Sequence, residues 1–106
     1  MSLNNWKNLN QEIIACRKCK RLVNFREKIA HYKTKRFKKW KYWGKPVTGY
    51  GNKNGKLIIL GLAPAAHGGN RTGRVFTGDK SADFLIHCLH KVKLVNQSTS
   101  ENKNDG

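Results

Sequence analysis

The sequence predicts an α/β fold built on one strand–loop–helix unit of the parallel-sheet kind. Three observations lead there. Lys56–Leu62 is a short, continuous apolar run bounded by turn residues, the pattern of a strand buried on both faces. That run empties into a loop of Gly, Ala and Pro extending to Asp79. Beyond the loop, Ala82, Leu85, Ile86, Leu89 and Val92 recur at helical spacing, so Ser81 is expected to cap a helix ending near Val92.

The remaining elements follow from the same periodicities. Asn5–Ala15 reads as a helix, with Asn5 as its cap and Trp6, Leu9, Ile13 and Ile14 on one face. Cys16-Arg-Lys-Cys19 comes directly after. Leu22, Phe25, Ile29 and Tyr32 then form a second apolar stripe, with Arg21, Arg26, Lys28 and Lys33 off it, so a helix with a basic outer face is expected. Lys33–Lys45 is denser in charge and interleaved with aromatics, and Pro46, Gly49 and Gly51 end it in turns. From Asn96 onward the chain has no apolar residue and is expected to be loop or disorder, a polar tail over 96–106 after a domain portion over 1–95.

A strand buried on both faces needs neighbours. Val47–Tyr50 and Val92–Val95 are too short to complete a two-sided sheet. Stopping after one strand–loop–helix unit leaves strand edges and an apolar helix face uncovered, so the chain is expected to be a fragment of a larger domain.

Charge narrows the partner. A formal net charge of +16 over 106 residues repels itself and favours a polyanion, and the aromatics within the basic run favour nucleic acid over a membrane or an acidic protein. No stretch approaches the roughly 20 apolar residues of a membrane span, and the start lacks the apolar core of a secretory signal. The expected setting is intracellular and cytoplasmic (at the nucleoid in a bacterium), with the chain a monomer. Thiols stay reduced there, so the three cysteines imply no disulfide and the sequons at Asn70 and Asn96 carry no glycan.

The loop holds the chemistry. Small residues let a flat ligand press on the backbone, whose amides become donors, and the few large side chains select or react. Gly73-Arg-Val-Phe-Thr-Gly-Asp-Lys-Ser81 nearly spells a phosphate-binding loop, but Asp79 breaks the Gly-Lys step and the strand ends too early for the tight turn. A dinucleotide-binding Gly-x-Gly-x-x-Gly is absent. The lone Cys16-x-x-Cys19 pair has spacing suited to gripping one metal centre, although zinc and iron–sulfur sites both normally need four ligands. Cys88, among apolar helix neighbours, is expected in the core.

Gly61-Leu-Ala-Pro-Ala-Ala-His-Gly, Asn70-Arg-Thr-Gly-Arg and Phe76-Thr-Gly-Asp79 together resemble the first active-site motif of family 5 uracil-DNA glycosylases, the iron–sulfur members of their superfamily. Cys16-Arg-Lys-Cys-Lys-Arg-Leu-Val23 is similar to that family's Cys-x-x-Cys-Pro-Arg-Leu-Val, with Lys20 in place of Pro. Arg26-Glu27 and Trp40-x-Tyr-Trp-Gly-Lys-Pro-Val-x-Gly-Tyr-Gly51 also match, and Asn96-Gln97 and Asp105-Gly106 resemble the lead-in to the family's next strand. The resemblance implies a three-layer α/β/α fold around a central parallel sheet, of which this chain would be the N-terminal portion. It implies hydrolysis of the N-glycosidic bond of uracil, and of other deaminated bases, in DNA. It also implies a structural [4Fe-4S] cluster, with Cys16 and Cys19 as two of four ligands; the other two, and a late histidine motif, belong to family sequence beyond Gly106.

Uracil excision requires the base to leave the stack, then develops positive charge on the sugar and negative charge on the departing base. Phe76 is expected to stack on the base, with a loop-closing core aromatic as the alternative. Gly61, Ala63, Pro64 and Ala65 would bring backbone to the pyrimidine edge. Asp79 is the only carboxylate in the loop and the candidate for activating water or stabilising the sugar cation; a helix cap explains it equally well. Superfamily members place a polar residue where this chain has Leu62, and family 5 uses the later Asp. His67 lines the slot or touches phosphate. Asn70, Arg71 and Arg74 are expected as loop locks or phosphate contacts. Lys35, Arg36, Lys38 and Lys39 are expected on the DNA backbone, while Trp40 and Trp43 are the aromatic pair expected to pack the arm. The rival from another class is a small basic nucleic-acid-binding module holding zinc at its cysteines, with no catalysis.

Overall fold

The computed structural model describes residues 3–106, and every regular element among them is helical. α1 spans Leu3–Ala15, α2 Lys20–Tyr32, α3 the single turn Gly69–Thr72 and α4 Lys80–Lys91; a 3-10 turn covers Lys35–Phe37. Helix caps shift two expectations. Asn5 lies inside α1 instead of ahead of it. α4 is capped by Asp79, not Ser81: Asp79 is extended (φ −138°, ψ 174°) and its side chain accepts the amide of Ala82 at 2.8 Å. Capping from Asp79 satisfies the third helical amide, which Ser81, already within the first turn, is not placed to do.

The strand expected over 56–62 is not formed. The segment is irregular and bare, with Ile58 86 % and Leu60 91 % exposed. Its apolar sequence is that of a central strand, but a strand exists only by pairing, and no second strand forms among the described residues. Among the described residues, then, the strand of the expected α/β unit is not formed while its loop and following helix are.

α2 docks to one side of its expected apolar stripe, of which only Ile29 is half-buried. Leu22, Phe25 and Tyr32 are all more than half exposed, while Val23 is buried and Arg26 and Ala30 are half-buried. The cause is polar: Asn70 Nδ2 donates to the carbonyl of Arg26 at 3.1 Å, and Gly44 passes directly beneath Ala30. These contacts turn the 23–26–30 side of the helix toward α3. At the start of α2, the exposed Arg17–Glu27 ion pair and the Arg26 bond to the Cys16 carbonyl tie the cysteine turn to the helix.

α4 buries Ala82 and Ile86, with Leu85 and Leu89 half-buried, as its periodicity predicts; Val92 is exposed. Cys88 points to solvent, contrary to the core position expected for it, because only the Ala82–Ile86 side meets the rest of the chain. The tail has no regular structure, yet it is tied down. The amide of Gly78 donates to the Ser100 carbonyl at 2.8 Å, and Ser100 is buried.

Candidate functional site

The most continuously buried stretch of the molecule is not an apolar helix but the loop itself, from Gly68 to Gly73. Buried polar groups hold it. The amide of Asn70 donates to the Ala65 carbonyl, folding the Ala63–Ala65 stretch back over α3, and the amides of Trp43 and Gly44 donate to the carbonyls of Arg71 and Asn70. Thr72 Oγ1 bonds the Gly68 carbonyl at 2.8 Å, and Thr77, 1 % exposed, bonds Ser100 Oγ at 2.7 Å and the Val75 carbonyl at 2.8 Å. Buried polar groups satisfied this completely specify one backbone path.

Arg71 is the centre of this network. It is 3 % exposed, its Nε donates to the His67 carbonyl and its Nη2 to the Gly78 carbonyl at 2.6 Å. Its guanidinium carbon lies 3.8 Å from the Phe37 ring centroid and 4.1 Å from that of Trp40. Burial lowers its pKa from the ordinary guanidinium value and Arg36 adds to this, while Tyr42 and Asp79 pull the other way. Arginine tolerates burial because its charge is delocalised and its planar faces stack on aromatics. Among the roles expected for Asn70, Arg71 and Arg74, the geometry is that of loop locks. Asn70 and Arg71 are buried and spent on internal carbonyls, so neither side chain is presented to a phosphate. Arg74 is held by Thr77 Oγ1, Ser100 Oγ and Asp105 Oδ1, the last at 2.7 Å, with its guanidinium 4.7 Å from the Tyr50 ring centroid.

Phe76 is half-buried with φ at +49°, a conformation rare for a bulky side chain and of the sort that collects at ligand sites. Its ring lies over Gly61: a Cβ there would stand 3.1 Å from two ring atoms. Gly61, Leu62, Ala63, Pro64 and Ala65 are all exposed, so this wall faces open solvent with Phe76 at its edge. Asp79 is half-buried at the far end of the loop. One carboxylate oxygen caps α4, and the other lies so close to Gly68 that any side chain there would collide with it. His67 is half-buried, its Nδ1 2.8 Å from the hydroxyl of buried Tyr42. Two concavities lie elsewhere, one of about 630 Å³ between Tyr50, Arg74 and the tail, the other of about 220 Å³ beside the Phe37–Arg71–Trp40 stack.

The basic arm meets the loop from outside. Lys35, Arg36, Lys38 and Lys39 are exposed, although Lys38 donates to the Tyr32 carbonyl at 3.0 Å and Arg36 lies 5.0 Å from the Phe37 ring centroid. Trp40 and Trp43 do pack the arm, through the loop instead of through each other: Trp40 on Arg71, Trp43 against Gly73. The arm's role as a lock was not legible in its composition, because the Phe37–Arg71–Trp40 stack joins segments more than thirty residues apart.

Cys16 is half-buried and Cys19 exposed, on the turn joining α1 to α2. Their spacing and soft donor chemistry suit two corners of a thiolate-ligated cluster, but among the described residues no group of three or more metal donors is assembled. Two thiols do not complete a four-ligand site.

The family model described as the uracil DNA glycosylase superfamily matches residues 48–102, which contain the whole loop. The type-5 uracil-DNA glycosylase of Mycobacterium tuberculosis is 54% identical over 98 residues, 92% of this chain and 37% of the relative. That of Pyrobaculum aerophilum is 45% identical over 94 residues, covering 89% of this chain and 41% of the relative. That of Thermus thermophilus is 46% identical over 90 residues, covering 85% and 41%. The chain thus spans about two fifths of the length of these curated relatives.

Proposed function

Because this chain belongs to the uracil-DNA glycosylase superfamily, with type-5 enzymes among its relatives, we propose that its Gly61–Asp79 loop forms the base-receiving wall of a DNA repair glycosylase that hydrolyses the uracil N-glycosidic bond. The observation that supports this most is the division of labour within the loop. Asn70 and Arg71 turn inward onto backbone carbonyls and Arg74 onto the side chains of Thr77, Ser100 and Asp105, while the small residues of 61–65 face outward. A wall of that kind meets a flat base with preorganised amides and loses no side-chain freedom on binding.

On this reading Phe76 stacks on the extruded base, and the amides of Gly61, Ala63 and Ala65 approach its edge past Pro64. Asp79, charged and held beside the α4 N-terminus, stabilises the sugar cation or orients the attacking water. His67 offers a donor to an acceptor oxygen of the nucleotide. Lys35, Arg36, Lys38 and Lys39 follow the phosphates on the outside. Cys16 and Cys19 are two thiolates for a [4Fe-4S] cluster, whose contribution when bound is to brace the α1–α2 turn. DNA containing uracil is the partner. No helix among the described residues is long and apolar enough to cross a membrane.

A gel assay on oligonucleotides carrying one uracil or one thymine tests this. The expected result is tighter binding of the first oligonucleotide, with any uracil release confined to it. No release, together with equal binding of both oligonucleotides, overturns the assignment. Metal analysis of the purified chain adds the cofactor: iron with sulfide and a brown colour supports the cluster, while zinc in a colourless protein supports the binding-module alternative.

A further inference from the structure

We propose that Tyr42 is a positioning residue that fixes the tautomer of His67, placing the proton of the uncharged imidazole on Nε2 so that this nitrogen is a donor. The case rests on where protons can go. Tyr42 is 7 % exposed, so its hydroxyl proton needs an acceptor within the protein. His67 Nδ1 lies 2.8 Å away, the usual length for such a bond. If Nδ1 carried the proton instead, it would donate to the tyrosine oxygen and leave the buried hydroxyl proton to find another acceptor, for which the described contacts of Tyr42 show no candidate: Lys33 approaches its ring at 5.9 Å and is itself only a donor. Donation from Tyr42 to Nδ1 satisfies both groups, and it leaves Nε2 bearing hydrogen.

His67 is held at its backbone and at its ring. Arg71 Nε grips the His67 carbonyl, the Tyr42 and His67 rings meet edge to face at 5.8 Å, and Tyr42 is anchored next to Trp43, whose amide bonds Arg71. The aromatic arm and the loop therefore converge on one histidine. A fixed Nε2–H is a donor for an oxygen acceptor, whether a base carbonyl or a phosphate oxygen. That use rests on the reading of the loop as a base-binding wall; the tautomer itself does not.

The test is a long-range proton–nitrogen correlation spectrum of the 15N-labelled 106-residue chain, recorded near pH 8, above the ordinary imidazole range of about 6.5. The expected spectrum shows His67 Nδ1 at the position of a bare nitrogen and Nε2 at that of a protonated one. In Tyr42→Phe, which keeps the ring and removes the hydroxyl, the two signals are expected to move toward averaged positions, and uracil release to fall about fivefold. Protonated Nδ1 in the unaltered chain overturns the proposal, and that spectrum decides it even if Tyr42→Phe does not fold. An unchanged His67 pattern in a folded Tyr42→Phe chain overturns it too. Adding uridine and, separately, inorganic phosphate shows which acceptor moves the Nε2 signal; a response to neither removes the ligand role. The expected tautomer in a chain that neither releases uracil nor prefers the uracil oligonucleotide would sink the glycosylase assignment alone.

Discussion

Asp79 gives one oxygen to the Ala82 amide and turns the other toward Gly68, so a single side chain starts α4 and charges the loop. The two roles separate by substitution. Asn caps helices about as well as Asp, so Asp79→Asn is expected to keep thermal stability while lowering the rate of uracil release at least about a hundredfold. Asp79→Ala should lose the rate and about 1 kcal/mol of stability as well, measured by urea unfolding. Arg71 belongs to the same scale. Arg71→Met keeps an apolar body between Phe37 and Trp40 but strands the His67 and Gly78 carbonyls, and the expected loss is about 3 kcal/mol. Equal stability of that variant would show that the stack, and not the two hydrogen bonds, holds the loop. At Gly61 a side chain meets the Phe76 ring, so Gly61→Val is expected to weaken uracil-DNA binding about tenfold with little change in stability.

Elements were legible where local periodicity decides them and obscure where long-range polar contacts do. α1 and α4 fall close to their expected limits because apolar spacing acts within a few residues, although Asn5 and Ser81, expected as caps, lie inside the helices. α2 forms where expected, yet its docking face is chosen by Asn70, some forty residues away, and no local pattern encodes that. The 56–62 segment shows the reverse: a clear strand pattern with no partner strand among the described residues. The tail is a further case, since a polar composition gave no sign of the Arg74–Asp105 pair that pins it. Burial works against the Asp105 carboxylate, but the amides of Glu101 and Asn102 and the Arg74 guanidinium outweigh it and hold its pKa below the ordinary value. A lowered carboxyl pKa contributes stability that is present above the unfolded value and lost as pH falls through the folded one. Tail docking should therefore be intact above about pH 4 and released below it, read as a rise in hydrogen exchange at the Gly78 amide. Along the arm, Lys35→Ala with Lys39→Ala is expected to reduce the salt slope of DNA binding by about 2, each lysine accounting for one phosphate.

For the whole molecule, two properties oppose each other. A charge of +16 keeps copies apart, while the bare 57–62 run, with Leu62 fully exposed, invites them together. Salt screens only the first, so sedimentation velocity should show a single small species at low ionic strength and association near 1 M salt, abolished by Ile58→Lys with Leu60→Lys. The candidate site was readable in the sequence at the level of which loop matters, because small residues and a few reactive ones are concentrated there. How the loop is held was not, since Phe37, Trp40, Tyr42, Ser100 and Asp105 come to it from distant segments. The most direct measurement is amide shift mapping of the 15N-labelled chain with a single-stranded oligonucleotide carrying uracil, compared with its thymine counterpart. Selective movement of Gly61, Ala63, Ala65 and His67 by the uracil strand is the predicted result. Identical shifts from both strands, confined to the basic arm, would contradict it.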